Sequence, residues 1–232
     1  MNDKPLRIDI WSDVVCPWCW IGKHRLATAL EQLGEAGHKV DIHWHAFQLD
    51  PESDGTPVPL REAYEQKFGG RERTEQILAQ TQATGRAEGL PFDFDQGQVR
   101  VNTLKAHRLI WLASREGDAD KVGEALFRAH FARGRNLADT QTLVDAGAEG
   151  GLTEARVRAM LESDEGLAEV RAQLAQAQAL GIRAVPTFVL DGRLAVQGAQ
   201  SPETFRQAFS RLGIASAAPA SGNACGPDGC EV

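Results

Sequence analysis

The sequence predicts an α/β fold in which a small sheet domain is interrupted by a large all-helical insertion domain between its second and third strands. Three observations predict it. The chain opens with a strand–turn–helix unit that carries Cys16-Pro17-Trp18-Cys19 in its turn. Residues 60–180 read almost throughout as helix. After Gly181 the pattern returns to a strand, a hairpin and a closing helix.

The elements follow in order. Leu6 to Trp11 is a short apolar run that reads as a strand. Trp18 to about Glu35 places Ile21, Leu26, Ala29, Leu30 and Leu33 at helical spacing. Val40 to Phe47 alternates and is rich in β-branched and aromatic residues, so it is the second strand, parallel to the first across a helical crossover. Residues 48–59, with Asp50-Pro51 and Asp54-Gly55, form a loop. Helices are expected over 60–68, 71–89, 103–116, 121–133, 140–149, 154–162 and 166–180. Asn102, Asp139 and Thr153 are expected N-caps, and Gly69, Gly117 and Gly134 expected stops. Residues 90–101 interrupt them, with Phe92 and Phe94 placed to pack on the insertion. Ala184 to Leu190 is the third strand, Asp191-Gly192 a hairpin turn, residues 193–198 the return strand, and residues 203–212 a helix started by Ser201-Pro202. Without the helical block the order is β-α-β-β-β-α, that of a thioredoxin-like fold. The expected domains are residues 1–59 and 181–212 for the sheet, 60–180 for the insertion, and 213–232 for a flexible tail.

Chemistry concentrates on the C-x-x-C turn. A helix start carries unpaired N–H groups and partial positive charge, which favour a thiolate over its thiol. Thiols in such motifs ionise at pKa values of about 3.5–7.5, against ~8.5 for free cysteine, and the thiolate is the species that attacks disulfides. Cys16, preceding the helix, is the expected exposed nucleophile, and Cys19, inside the first turn, the expected covered resolving thiol. Pro17 suits the first helical position, and Trp18 supplies no cation to the thiolate. A zinc half-site or a structural disulfide are the alternatives; C-x-x-C beside a βαβ pattern reads as thioredoxin-like.

Composition narrows the partners. The 232 residues carry 25 basic and 32 acidic side chains, a net charge of −7, with 42% hydrophobic residues. No basic patch points to nucleic acid. No signal-peptide pattern and no long apolar run is present, so the expectation is a soluble, cytoplasmic protein without a membrane partner. The four cysteines form two pairs, Cys16/Cys19 and Cys225/Cys230, which in a reducing compartment suit catalysis, redox sensing or metal binding.

Pro186 falls at the start of the third strand, opposite the C-x-x-C turn, where a missing N–H is tolerated. The fold favours a cis Val185–Pro186 bond, presenting the Val185 backbone to an extended substrate. Asp9, with Asp13 nearby, is a candidate proton acceptor for Cys19, with both as surface or capping residues an equal alternative, and alternation puts Asp9 on the side of Trp11. His43 and His45 share a strand face; partly buried side chains with hydrogen-bond partners are favoured over metal ligands, and no metal is expected.

Asp13-Val14-Val15-Cys16-Pro17-Trp18-Cys19-Trp20-Ile21-Gly22, Asn102-Thr103 with Ala106-His107-Arg108-Leu109, Val185-Pro186, and Gly198-Ala199-Gln200 together resemble the DsbA-like thioredoxin-fold oxidoreductases, and more closely their FrnE-like branch. The resemblance covers about residues 5–212. It implies a Cys16 nucleophile, a resolving Cys19, a cis Pro186, and Asn102 and His107 near the cleft between the two parts. Relatives with serine at the first cysteine position are glutathione-dependent isomerases and kappa-type transferases; both cysteines here favour dithiol chemistry.

The tail ends in Cys225-Gly226-Pro227-Asp228-Gly229-Cys230, whose Pro-Asp-Gly turn lets the two cysteines meet. A second redox pair exchanging disulfides with the first is the expectation there. The whole reads as a thiol–disulfide oxidoreductase or isomerase acting on protein disulfides. It is recycled by a thiol reductant such as thioredoxin or glutathione and needs no metal or organic cofactor. A glutathione-dependent isomerase or transferase, and a metal-binding protein using all four cysteines, are the rivals.

Overall fold

The computed structural model describes residues 5–34 and 39–214. Strand β1 (Leu6–Ser12) leads into helix α1 (Pro17–Gln32), and strand β2 (Val40–Ala46) follows. A short strand β3 (Val58–Pro59), helices α2 (Leu60–Phe68) and α3 (Arg71–Ala87), and a short strand β4 (Val99–Arg100) come next. Helices α4 (Leu104–Glu116), α5 (Ala119–Arg133), α6 (Thr140–Glu149), α7 (Glu154–Leu161) and α8 (Leu167–Ala179) fill the rest of the middle. Strands β5 (Thr187–Leu190) and β6 (Leu194–Gln197) and helix α9 (Pro202–Arg211) close the fold.

The sheet order is β2-β1-β5-β6, with β1 and β2 parallel and β1–β5 and β5–β6 antiparallel. This is the thioredoxin-like arrangement that the β-α-β-β-β-α order predicts. Ile8 and Ile10 of β1, Phe188 and Leu190 of β5, and Phe205 and Phe209 of α9 are buried together with Ile21 and Leu26 of α1. Phe188 meets Phe205 edge-on at 4.9 Å. Helix α1 packs on α9 and α5, while α4, α5 and α8 lie against β2.

Local chemistry sets the helix ends. Asp139 accepts from the Thr142 N–H, Thr153 from the Arg156 N–H and Ser201 from the Thr204 N–H, so these three caps stand where the sequence places them. Gly69 and Gly134 end α2 and α5 in the left-handed conformation. At α4 the capping position is Thr103, one residue later than expected, although the Asn102 side chain still accepts from the Leu104 N–H at 2.9 Å.

Two stretches differ from expectation. The expected loop 48–59 ends in β3, and the expected interruption 90–101 contains β4, the two pairing as an antiparallel ribbon through Val58–Arg100 and Pro59–Val99. Two residues per strand leave no alternation to read. The third strand begins at Thr187 instead of Ala184, because residues 184–186 turn to face α1 before the ladder starts.

Phe92 reaches further than the insertion, while Phe94 packs within it on Phe92 and Phe131. Trp20 of α1 lies 4.8 Å from Phe92, 6.2 Å from Phe127 and 6.0 Å from Phe131, and Phe92 is 5.1 Å from Phe131. The Trp20 indole N–H donates to Glu124 at 2.9 Å, and Lys23 pairs with Glu124 and Asp120. This aromatic cluster fastens the helical block to the helix that carries the dithiol.

Candidate active site

The chain leaves β1 at Ser12, turns through Asp13-Val14-Val15, and enters α1 with Cys16 as the N-cap residue in extended conformation and Pro17 at the first helical position. The Cys16 N–H donates to the Asp13 carbonyl and the Cys19 N–H to the Cys16 carbonyl, both at 3.0 Å. Cys16 and Cys19 are free thiols. Burial pushes the Cys19 thiol well above its ordinary range, and the neighbouring Cys16 sulfur pushes it further. Trp18 stands 40% exposed beside them.

Cys16 differs from expectation: it is 5% exposed, not open to solvent. Its cover comes from the far end of the sequence. The thiol donates to the Val185 carbonyl at 3.7 Å, and the Val185–Pro186 bond is cis. The Pro186 carbonyl accepts from the Gly198 N–H at 2.7 Å, which anchors this turn to β6. Gly22, one turn beyond Cys19, allows the approach, since a Cβ there would lie 2.9 Å from Pro186 Cγ and 3.2 Å from the Phe188 ring. Among the described residues, the Val185 N–H donates to no group.

The two acids separate. Asp9 is held by Arg7, whose Nε donates at 2.8 Å, and by His45 Nε2 at 2.7 Å, with the His45 ring stacked on Trp11 at 4.4 Å. Burial opposes the Asp9 charge, but Arg7 and His45 hold its carboxyl below the usual carboxylate range. His43 has a partner of its own in Asp41 at 2.8 Å. Asp13 is 1% exposed; its Oδ2 accepts from the Leu49 N–H at 2.8 Å and its Oδ1 lies 3.4 Å from His107 Nε2. No hydrogen bond joins either carboxylate to Cys19 among the described residues.

Asn102 and His107 act on the loop after β2. His107 Nε2 donates to the Phe47 carbonyl at 2.9 Å. Asn102 accepts from Gln48 at 3.1 Å and donates to the Ser53 carbonyl at 2.9 Å. With Asp13 they clamp residues 47–53 beside the dithiol turn, and neither touches a sulfur. Cys225 and Cys230 lie outside the described residues.

Sequence reasoning missed Tyr64 and His130. Burial pushes the Tyr64 phenol up, and the charges of Cys16 and Asp13 push it further, which sets α2 within electrostatic reach of the dithiol. His130 is fully buried on α5, beside the Arg135 backbone. Burial holds its imidazole down to about 4, against the opposing charge of Asp13. No motif marks either residue, because both reach the site through tertiary packing.

The His130 shift has a pH consequence. The unfolded ring titrates near ~6.5. A folded pKa below that means the stabilising contribution is full above about pH 6.5 and is lost as pH falls toward 4. Denaturant unfolding is expected to show stability falling by about 3 kcal/mol between pH 7 and pH 4 from this group. His130→Phe is expected to remove that part of the slope; an unchanged slope in the variant contradicts it.

A helix-capping cysteine, a second cysteine buried in the first turn and a cis-proline turn against the first sulfur meet at the start of α1 in this thioredoxin-like fold. The chain belongs to the family of DSBA-like thioredoxin domains, whose family model matches residues 7–210. It is similar to a probable DsbA oxidoreductase, SCO1869, from Streptomyces coelicolor (34% identity, TM-score 0.84, 98% of this chain and 99% of that one). The cytosolic disulfide reductase DsbM from Pseudomonas aeruginosa shares the fold (23% identity, TM-score 0.61, 90% of this chain and 100% of that one) and has also been solved with GSH. The uncharacterized protein YwbO of Bacillus subtilis (strain 168) is 26% identical over 208 residues, 88% of this chain and 96% of that one. Among the described residues no helix is long and apolar enough to cross a membrane.

Proposed function

We propose that this chain is a cytoplasmic, FrnE-like thiol–disulfide oxidoreductase acting on protein disulfides through Cys16 and Cys19. The observation that carries the reading is the pairing of the Cys16 thiol with the Val185 carbonyl across the cis-proline turn. Cys16, as thiolate, attacks one sulfur of a substrate disulfide; an S–S bond forms between them and the other substrate sulfur leaves and takes up a proton. Cys19 then loses its proton and attacks the Cys16 sulfur, releasing the second substrate thiol. Two electrons and two protons pass from the dithiol to the substrate, and a thiol reductant, glutathione or thioredoxin, restores the pair.

The unequal thiols suit this order. Burial keeps Cys19 protonated while Cys16 reacts, so resolution awaits the mixed disulfide. The Val185 N–H and carbonyl pair with an extended substrate backbone beside the attacking sulfur. Run in reverse, the steps insert disulfides, and the direction follows the potential of the surrounding thiol pool. Asp13 is the better placed of the two acids because it sits on the dithiol turn, two residues before Val15, whereas Asp9 lies within β1 and is held by Arg7 and His45.

Cys225 and Cys230 form a second pair that exchanges disulfides with the first, carried by the tail beyond Gly213. In glutathione redox buffers, the full chain and a chain ending at Gly213 are both expected to form one Cys16–Cys19 disulfide at the same equilibrium, as read by thiol alkylation and mass spectrometry. Absence of that disulfide in both contradicts the reading; its absence only in the shortened chain makes the tail part of the primary site.

A further inference from the structure

Arg25 stands three residues beyond Gly22, on the same face of α1. Its guanidinium joins two elements that are far apart in the sequence. Nη1 donates to the Ala199 carbonyl at 2.6 Å, Nε donates to Glu88 Oε1 at 2.7 Å, and Nη2 lies 2.6 Å from that same oxygen. Ala199 sits in the turn between β6 and α9, and Glu88 is the C-cap of α3 in the helical block. The Arg25 and Glu88 side chains are 20% and 24% exposed, so the charged pair is largely shielded from water.

The turn that Arg25 grips is the one that holds Pro186. The Gly198 N–H donates to the Pro186 carbonyl at 2.7 Å. The Gln200 N–H donates to the Gly198 carbonyl and the Gln200 side chain to the Gln197 carbonyl, both at 2.9 Å, which closes the turn. Gly22 meets the same surface, since a Cβ there would lie 3.4 Å from Ala199 Cα as well as against Pro186. A continuous path therefore runs from Glu88 through Arg25, the Ala199 and Gly198 backbone and Pro186 to the Val185 carbonyl, which accepts from Cys16.

An ion pair that only adds stability is the simpler reading, and two observations weigh against it. The Trp20 cluster already fastens the helical block to α1. Arg25 also directs one arm of its guanidinium at a backbone carbonyl instead of at Glu88, and a rigid planar fork fixes two acceptors relative to each other.

We propose that Arg25 is a positioning residue for disulfide exchange. Anchored by Glu88, it fixes the 198–200 turn, and through that turn it sets the Val185–Pro186 backbone at the spacing from Cys16 that an extended substrate chain requires. The assignment rests on the dithiol reading, which gives the Val185 backbone its part in holding substrate.

The test compares two disulfides. Insulin has a backbone to lie along Val185; bis(2-hydroxyethyl) disulfide has none. Each is reacted with the reduced full-length chain, and formation of the Cys16–Cys19 disulfide is followed by acid quench, thiol alkylation and mass spectrometry. Arg25→Gln is expected to slow the reaction with insulin about tenfold, the scale of one or two lost backbone hydrogen bonds, and to leave the small disulfide within about twofold of wild type. Glu88→Gln, which keeps Arg25 but removes its counter-ion, is expected to show the same selectivity at about threefold, and it decides the matter if Arg25→Gln fails to fold. Equal loss on both disulfides, as a general weakening of the fold gives, or no loss on insulin, overturns the proposal. Amide hydrogen exchange reads the latch without turnover: the Gly198 N–H is expected to exchange at least about tenfold faster in Arg25→Gln, with the Phe188 N–H of β5 unchanged, and an unchanged Gly198 rate overturns the latch. A wild type that reacts with neither disulfide removes the dithiol reading and the role in exchange with it, while faster Gly198 exchange in the variant still upholds the latch.

Discussion

A Cys19→Ser chain mixed with a disulfide-bonded protein is expected to stall as a covalent adduct through Cys16, while Cys16→Ser traps nothing. The reason is the division of labour between the sulfurs. Cys16 caps α1 and faces the Val185 carbonyl, whereas Cys19 is buried inside the first turn with its thiol pushed well above its ordinary range. On the proposed mechanism, replacing Cys19 removes the group that resolves the mixed disulfide but leaves the attacking group in place. Non-reducing electrophoresis reads the adduct, and peptide mass spectrometry locates it. Equal trapping by both variants contradicts the assignment.

Trp20→Ala is expected to have the largest effect on stability. The indole is 1% exposed, touches Phe92, Phe127 and Phe131, and donates to Glu124. Truncating a buried Trp to Ala costs about 3–5 kcal/mol, from lost transfer free energy and the cavity left behind. Here it also leaves Glu124 with Lys23 alone. Denaturant titration measures the loss. Because Trp20 joins α1 to the helical block, the dithiol activity of the folded fraction is expected to fall as well. A loss below about 1 kcal/mol, the scale of a volume-conserving swap, contradicts the cluster's role.

The C-x-x-C turn and the element order were legible because both are local. A strand end, a capping cysteine, a proline at the first helical position and the caps at Asp139, Thr153 and Ser201 follow from neighbours within four residues. The burial of Cys16 was not legible, since its cover is a carbonyl 169 residues away. Alternation correctly put Asp9 beside Trp11, but its engagement by His45 depends on the parallel register of β1 and β2, which no residue pattern announces. The β3–β4 ribbon is too short to show a period. Phe92 and Phe94 marked a packing site, yet that Trp20 is the partner of Phe92 follows only from how the helical block sits on α1. The clamp on residues 47–53 likewise depends on Asp13, Asn102 and His107, whose bonds to it span 36, 49 and 60 residues.

The central claim is that Cys16 drives disulfide exchange, and turnover of insulin disulfides with dithiothreitol tests it most directly. Wild type is expected to reduce insulin well above the uncatalysed rate, and Cys16→Ser to fall to that rate. Turnover that survives Cys16→Ser, or wild type no faster than dithiothreitol alone, would contradict it.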